Sequence, residues 1–138
     1  MRARVVISAA VAAGLAGTAL VCGAASPAAA ASGCLKSVIE YTGYRGPNTY
    51  QTVTKGYASQ SSCHDLNVIE SLGGTGGERY AGFYRSSNGV WHQGSRGFVS
   101  IADGTHNPWV VLLSDVNGGT PMSVGTWNRE GAWVYLAY

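Results

Sequence analysis

The stretch YRSSNGVWHQGSRG, residues 84–97, sets the pattern from which the fold can be read. Asn88-Gly89 is a strong signal for a tight turn, because these residues accept the backbone angles that hairpins require. The flanking runs, 79–86 and 90–94, are short and rich in aromatic residues, as strands are. A second turn is predicted at 94–97. The composition of the stretch is therefore that of a β-hairpin followed by another turn.

The same punctuation continues along the chain. Asp103-Gly104 and Asn117-Gly118-Gly119 are strong turn signals, and Glu130-Gly131 is a weaker one. The runs between turns are rich in Val, Ile, Tyr, Trp and Thr, and no long helical period appears. Strands are predicted at 35–42, 50–57, 64–71, 79–86, 90–94, 96–102, 109–116, 121–128 and 132–138. We therefore expect an all-β fold, a small disulfide-braced antiparallel β-sandwich or barrel of about eight to nine short strands.

Two of these strands are apolar on both faces. Residues 109–113, WVVLL, form a continuous apolar run that favours a central strand. In the last strand Trp133, Tyr135 and Ala137 share one face, and the other face is equally apolar. That pattern indicates either burial on both sides or an aromatic side that faces a ligand.

Residues 1–31 have the pattern of an export signal. Arg2 and Arg4 precede an uncharged apolar run, and Ala29-Ala30-Ala31 is a small-residue cleavage pattern. A membrane anchor is the alternative, but the run is short and no charge follows it. A lipid anchor on Cys22 is a further one. We expect cleavage after Ala31, a single all-β domain at 32–138, and no membrane contact after cleavage.

Removal of the leader changes the charge balance. The chain has nine basic and seven acidic residues, and both arginines of the leader are lost with it. The remaining domain has seven of each sign, with no lysine or arginine cluster in its sequence. Nucleic-acid binding is therefore not expected.

The cysteines also indicate export. Two of the three, Cys34 and Cys63, lie in the predicted domain. An even pair in an exported protein is expected to form a disulfide. The alternative is a reactive thiol with His64 beside it, but neighbouring residues on a strand point to opposite faces.

The segment Gly73-Gly74-Thr75-Gly76-Gly77 is predicted to be a flexible loop within the domain. It lacks the lysine and the strand–helix context of a phosphate-binding loop.

No motif for catalysis is present. Gly94-Ser95-Arg96-Gly97 does not have the spacing of the nucleophile elbow that exposes a hydrolase serine. His64, His92 and His106 are too far apart in sequence for a close-spaced metal-ligand pair, and nothing pairs two carboxylates for glycoside hydrolysis. We therefore expect no enzyme activity, no catalytic residues, no metal and no cofactor.

Aromatic residues beside polar ones are the better candidates for function. Flat rings flanked by polar groups stack on sugars or anchor protein partners. Trp91, with Arg85 and Gln93 nearby, follows the first turn, and Trp127 precedes another. The alternative is that these rings form the core, and burial alone favours an inward Trp91 with His92 outward.

A second candidate is the pair Tyr44-Arg45. Residues 42–48, TGYRGPN, have the composition of a polar loop, and a braced loop that presents Tyr and Arg suits protein recognition. The alternative is an ordinary polar hairpin loop.

The arginine-start, Ala-rich leader and the Gly-, Thr- and Tyr-rich domain resemble small exported proteins of high-GC Gram-positive bacteria. The resemblance is compositional and implies a secreted or cell-surface location. Proteins of that type include enzyme inhibitors and spore- or wall-associated proteins. Three hypotheses follow: a secreted binding protein for an extracellular protein or polysaccharide at the envelope, spore or wall; an inhibitor of an extracellular hydrolase; and, third, a small secreted hydrolase.

Overall fold

A computed structural model describes residues 33–57 and 63–138, and in these residues the chain is all-β, as predicted. The leader prediction lies outside the described residues. The ten strands are β1 Lys36–Ile39, β2 Gly43–Tyr44, β3 Val53–Thr54, β4 Leu66–Leu72, β5 Gly77–Arg85, β6 Trp91–Gln93, β7 Val99–Ala102, β8 Gly104–Leu113, β9 Pro121–Thr126 and β10 Trp133–Ala137. No helix in the described residues could span a membrane.

The strands form two sheets, which pack as a sandwich. The first sheet has the order β1-β10-β4-β8, and all its pairs are antiparallel. The second sheet has the order β2-β9-β5-β6, with β3 also on β9 and β7 also on β5. Ten strands exceed the predicted eight to nine, because the predicted loop 42–48 contains β2. Of the predicted strand 50–57, Val53–Thr54 is the part that pairs. β2 runs parallel to β9, the one parallel pair among the described strands.

The predicted hairpin is confirmed. β5 and β6 are antiparallel, with Arg85 opposite Trp91 and Phe83 opposite Gln93. Gly89 has a φ of +85°, where a residue with a Cβ would be strained, and its amide donates to the Ser86 carbonyl. The hairpin therefore reverses through Ser87–Gly89, and only the glycine takes the positive φ.

The core lies between the sheets. Its largest fully buried side chains are Tyr80, Ile39, Leu66, Leu112, Met122, Leu136, Val68, Val124 and Val134. Two glycines let the sheets approach closely, since a Cβ on Gly82 would lie 2.6 Å from Leu113 Cγ and Gly94 meets the same side chain. Burial raises the pKa of Tyr80 in this core to about 12.

Two predicted turns lead from one sheet to the other. Asp103 lies between β7 of the second sheet and β8 of the first, and residues 117–119 lie between β8 and β9. The turn chemistry was correct, but neither turn closes a hairpin.

The glycine-rich segment is anchored, which corrects the prediction of a flexible loop. The Asp103 carboxylate accepts hydrogen bonds from the amides of Gly73, Gly74 and Gly76. These bonds, that of Gly73 first, lower the pKa of Asp103. The three backbone amides therefore already have a hydrogen-bond acceptor, the Asp103 carboxylate of the same chain.

β8 is an edge strand, so the prediction that residues 109–113 form a central strand is wrong. The run is apolar because its residues cover two different surfaces. Leu112 and Leu113 are buried in the core, whereas Trp109 is half-buried with the Lys36 Nζ 5.9 Å from its ring centroid.

The predicted disulfide is present. Cys34 and Cys63 are bonded, with their Cα atoms 5.0 Å apart, within the usual range of about 4.4–6.8 Å. The bridge encloses β1, β2 and β3, and so braces the segment that carries Tyr44 and Arg45.

Candidate binding face

The outer face of the second sheet carries Arg85, Trp91 and Gln93, and Arg45 stacks on Trp127 at its edge. Tyr44, the remaining predicted side chain, pairs with the inward Thr126 and is exposed at that edge beside Arg45. On β5, Gly82 faces the core, so the odd-numbered residues Arg79, Phe83 and Arg85 point outward. The same alternation on β9 puts the side chains of Met122 and Val124 in the core. Continued beyond the end of β9, it puts the side chain of Trp127 on the outer side. We call this surface the outer face of the second sheet.

At one end of this face, two arginines flank a tryptophan. The Arg45 guanidinium carbon lies 4.3 Å from the Trp127 ring centroid, and that of Arg79 lies 5.2 Å from it. Arg45 is also 5.1 Å from the Tyr44 ring, and Phe98 packs edge-on against Trp127. We call these five residues the arginine–aromatic cluster.

Arg45 is held in this cluster by its backbone as well as by its side chain. Its φ is +53°, a left-handed conformation that is uncommon for residues other than glycine. Its amide donates to the Thr126 carbonyl and its Nε donates to the Trp127 carbonyl. The guanidinium is therefore fixed against the indole, while its terminal Nη groups are not used by these bonds.

The other end of the face carries Trp91, Arg85 and Gln93. Trp91 is half-buried and lies opposite Arg85 on the outer side, so the inward position that burial favoured is wrong. His92 lies instead on the side of Tyr84 and stacks on that ring at 5.3 Å.

The two ends are joined by aromatic contacts. Phe98 lies 6.3 Å from Phe83, ring centroid to ring centroid, and Phe83 is paired with Gln93 across the strands. From Arg79 to Arg85 the face extends about 20 Å at the usual rise of a strand.

This face has an excess of positive charge. The outward positions of β5 and β6 hold Arg79 and Arg85 and no acidic residue. In the described part of the chain, no hydrogen bond or ion pair joins a carboxylate to the side chains of Arg45, Arg79 or Arg85. Glu78, beside Arg79 in sequence, is buried and accepts hydrogen bonds from Asn128 and from the Arg79 amide.

Two serine–histidine pairs occur elsewhere, and neither has the arrangement of a catalytic pair. Ser86 Oγ lies 3.0 Å from His92 Nε2, and Ser71 Oγ lies 3.1 Å from His106 Nε2. Each hydroxyl also donates a hydrogen bond to a backbone carbonyl, Ser86 to that of Val90 and Ser71 to that of Ala102, and a hydroxyl has a single proton to donate. Among residues 33–57 and 63–138, no aspartate is bonded to either ring, and no group of three His, Cys, Asp or Glu could hold a metal ion.

A groove of about 700 Å³ opens at one end of the sandwich. It is lined by the stretches 84–87, 93–96 and 112–117 together with Thr120. Its floor is Leu112 and Leu113, and its rim is a mixture of hydroxyls with Arg96 and Asp115. Much of the stretch YRSSNGVWHQGSRG therefore lines this groove, while Trp91 lies on the outer face beside it.

The outer face of the first sheet is also aromatic. Trp133 and Tyr135 are both half-buried there, with ring centroids 6.4 Å apart, while Val134 and Leu136 fill the core. The aromatic side of the last strand thus lies on an outer surface. Among residues 33–57 and 63–138, the cation that lies over a ring on this side is Lys36, above Trp109, and no arginine does so.

Comparisons with protein-family models, with curated proteins and with solved structures give no match to this chain. What the protein does must therefore be inferred from its surface.

The sequence indicated Tyr44, Arg45 and Trp127 as candidates but not their association. It placed Tyr44-Arg45 and Trp127 in separate turns, and the fold brings them into contact across 82 residues. It missed Arg79 and Phe98. The period-two alternation of β5, with Arg79 on the face of Arg85, could have identified the first of these.

Proposed function

We propose that this chain is a secreted, non-enzymatic binding protein that attaches to a macromolecule at the cell envelope, spore or wall. The binding surface is the outer face of the second sheet, and the arginine–aromatic cluster at one end of it makes the main contacts. Tyr, Trp and Arg are the residues that most often dominate binding energy at interfaces.

The conformation of Arg45 carries the proposal. A positive φ is unfavourable for an arginine, and glycine would occupy it without strain. Strained backbone conformations concentrate at binding and catalytic sites. An exposed arginine at such a position, stacked on Trp127 and beside Tyr44, supports a role in recognition.

Inhibition of an extracellular hydrolase is the alternative, since an inhibitor would use the same kind of rigid, exposed residues. The two are separated by testing one preparation of the mature protein in two assays. In the first, the protein is mixed with insoluble Gram-positive wall material and the retained fraction is measured. In the second, it is added to a panel of proteases and amylases.

Arg45→Gly is the test variant and Arg96→Gly is its control, because Arg96 is an exposed arginine on the groove and carries the same charge. We expect retention on wall material, its loss in Arg45→Gly, its persistence in Arg96→Gly, and no inhibition. Inhibition by the unaltered protein that Arg45→Gly abolishes would replace the proposal with its alternative. Retention that is identical in both variants would remove this face as the binding surface.

A further inference from the structure

The charge and geometry of the same face point to the chemical class of its partner. We infer that the ligand is an acidic polysaccharide, whose anionic groups are bound by Arg45 and Arg79 while its sugar rings stack on the exposed ring of Tyr44 and the half-buried ring of Trp91. This inference rests on the proposed function and adds the ligand class to it.

The first argument is charge complementarity. Seven basic and seven acidic residues balance in the part of the chain after residue 31, yet the outer face of the second sheet gathers Arg45, Arg79 and Arg85. The acidic side chains near these strands are engaged elsewhere. Glu78 is buried under its hydrogen bonds with Asn128, and Asp103 is bound by the glycine-rich segment. An anionic partner is thus favoured at this face over a neutral or cationic one.

The second argument is the geometry of the guanidinium groups. Arg45 and Arg85 each donate from Nε to a backbone carbonyl, of Trp127 and Gly89. These bonds orient the planar group and leave the terminal nitrogens for a ligand. A carboxylate or phosphate oxygen pair matches such a fork, and a pre-oriented side chain loses less entropy when it binds.

The third argument selects a polysaccharide among the anionic polymers. Tyr44 is 51% exposed and Trp91 is half-buried, and both sit beside an arginine. Rings of this kind stack on the apolar faces of sugars. A nucleic-acid duplex presents a much denser row of charges, and tight binding to it normally engages more phosphates than three arginines can neutralise.

The test compares two polymers that differ only in charge. The mature protein is titrated with polygalacturonate, which carries a carboxylate on each sugar, and with its methyl ester, which is neutral. Single-stranded DNA is the third probe. Three variants are titrated in parallel: Arg45→Gly, Arg45→Lys and the control Arg96→Gly. Each titration is done at low salt and at about 0.5 M salt, where the Debye length is only a few ångströms and exposed charges are screened from one another.

We expect binding to polygalacturonate and none to its ester, with weakening at high salt. Arg45→Gly should lower the affinity by about tenfold or more, since a hydrogen bond to a charged group is lost. Arg45→Lys should lower it less, because it keeps the charge and loses the fork, and Arg96→Gly should leave it unchanged.

Three results would overturn the inference. Equal binding to acid and ester, still lost in Arg45→Gly, would contradict an anionic ligand but keep the proposed binding face. Preference for DNA over polygalacturonate would contradict the polysaccharide class. The protein could also bind none of the three polymers. If wall material still retains it through Arg45, that result refutes the inference alone. If retention is absent too, it also refutes the proposed function.

Discussion

At the scale of single residues, Arg45 separates a role in binding from a role in stability. Its positive φ costs on the order of 1 kcal/mol, and its contact with Trp127 returns about as much. We therefore predict that Arg45→Gly changes the free energy of unfolding by less than about 1 kcal/mol, because the strain and the contact are lost together. Urea denaturation measures this. A loss of several kcal/mol would mean that Arg45 mainly stabilises the fold.

Asp103, in contrast to Arg45, is a charged residue with a role in stability, because it accepts hydrogen bonds from backbone amides of the glycine-rich segment. Hydrogen bonds from Gly73, and then from Gly74 and Gly76, hold the pKa of this carboxyl below its ordinary value of 3.8. The folded state therefore favours the ionised form, so the stability it confers is present above about that pH and is lost as the pH falls through the depressed value.

We predict that Asp103→Asn lowers the denaturation midpoint at neutral pH and flattens the fall of stability on acidification. Glu130→Gln removes the same charge from an exposed turn and should leave the acid limb as it is. Acid titrations of the melting temperature, compared between these two variants, test the prediction. Parallel acid limbs for Asp103→Asn and the unaltered protein would contradict it.

Trp91 shows what residue-level reasoning from sequence could not supply. A preference for burying large apolar side chains favours an inward indole. The register of the hairpin decides otherwise, because Tyr84 and Met122 are paired on the inner side and Trp91 falls opposite Arg85. The register depends on pairing with β9, which begins at Pro121, and no property of Trp91 itself encodes that pairing.

At the scale of strands and turns, close approach of the two sheets depends on Gly82. A Cβ there would lie 2.6 Å from Leu113 Cγ and 3.0 Å from Leu112 Cβ, in the buried centre of β5. We predict that Gly82→Ala destabilises the fold by about 1–3 kcal/mol, the usual cost of overpacking a core. Gly46→Ala is the control, because its Cβ would meet only the Tyr44 carbonyl oxygen, at 3.9 Å. Equal denaturation curves for the two variants would contradict the close packing of the sheets.

The positions of the turns were the most predictable feature of the fold, and the strands that each turn connects were the least predictable. Asn88-Gly89 and Asp103-Gly104 carry similar signals, and the chain turns at both. The first joins neighbouring strands of one sheet, and the second passes from one sheet to the other. Turn residues fix local backbone angles, whereas the sheet that a strand joins is fixed by which core residues it must meet.

At the scale of the whole molecule, the disulfide closes a separation of 29 residues around β1, β2 and β3. Two of these strands are only two residues long, so they depend on their attachment to the rest. We predict that the double variant Cys34→Ser, Cys63→Ser loses about 3–4 kcal/mol, as expected for a loop of this size. Unfolding in urea with and without reductant checks it. A reduced protein as stable as the oxidised one would show that the bridge does not brace this segment.

The candidate site itself is a property of the whole fold. The sequence indicated its aromatic and arginine residues one turn at a time, because exposed Tyr, Trp and Arg have a recognisable composition. Arg45 meets Trp127 because β2 pairs in parallel with β9, which sets Tyr44 level with Thr126. A two-residue strand has no pattern in the sequence, so this pairing could not be predicted.

The most direct test of the central claim uses the four tryptophans, which the fold divides between its two outer surfaces. Trp91 and Trp127 lie on the outer face of the second sheet, and Trp109 and Trp133 lie on the side of the first. Their indole N–H signals are recorded by NMR during titration with polygalacturonate, after assignment with four single Trp→Phe variants. Binding at the proposed face predicts that the signal of Trp127, and then that of Trp91, shifts while the other two stay in place. Shifts of Trp109 and Trp133 with Trp127 unchanged would contradict it and would place binding on the opposite side of the molecule.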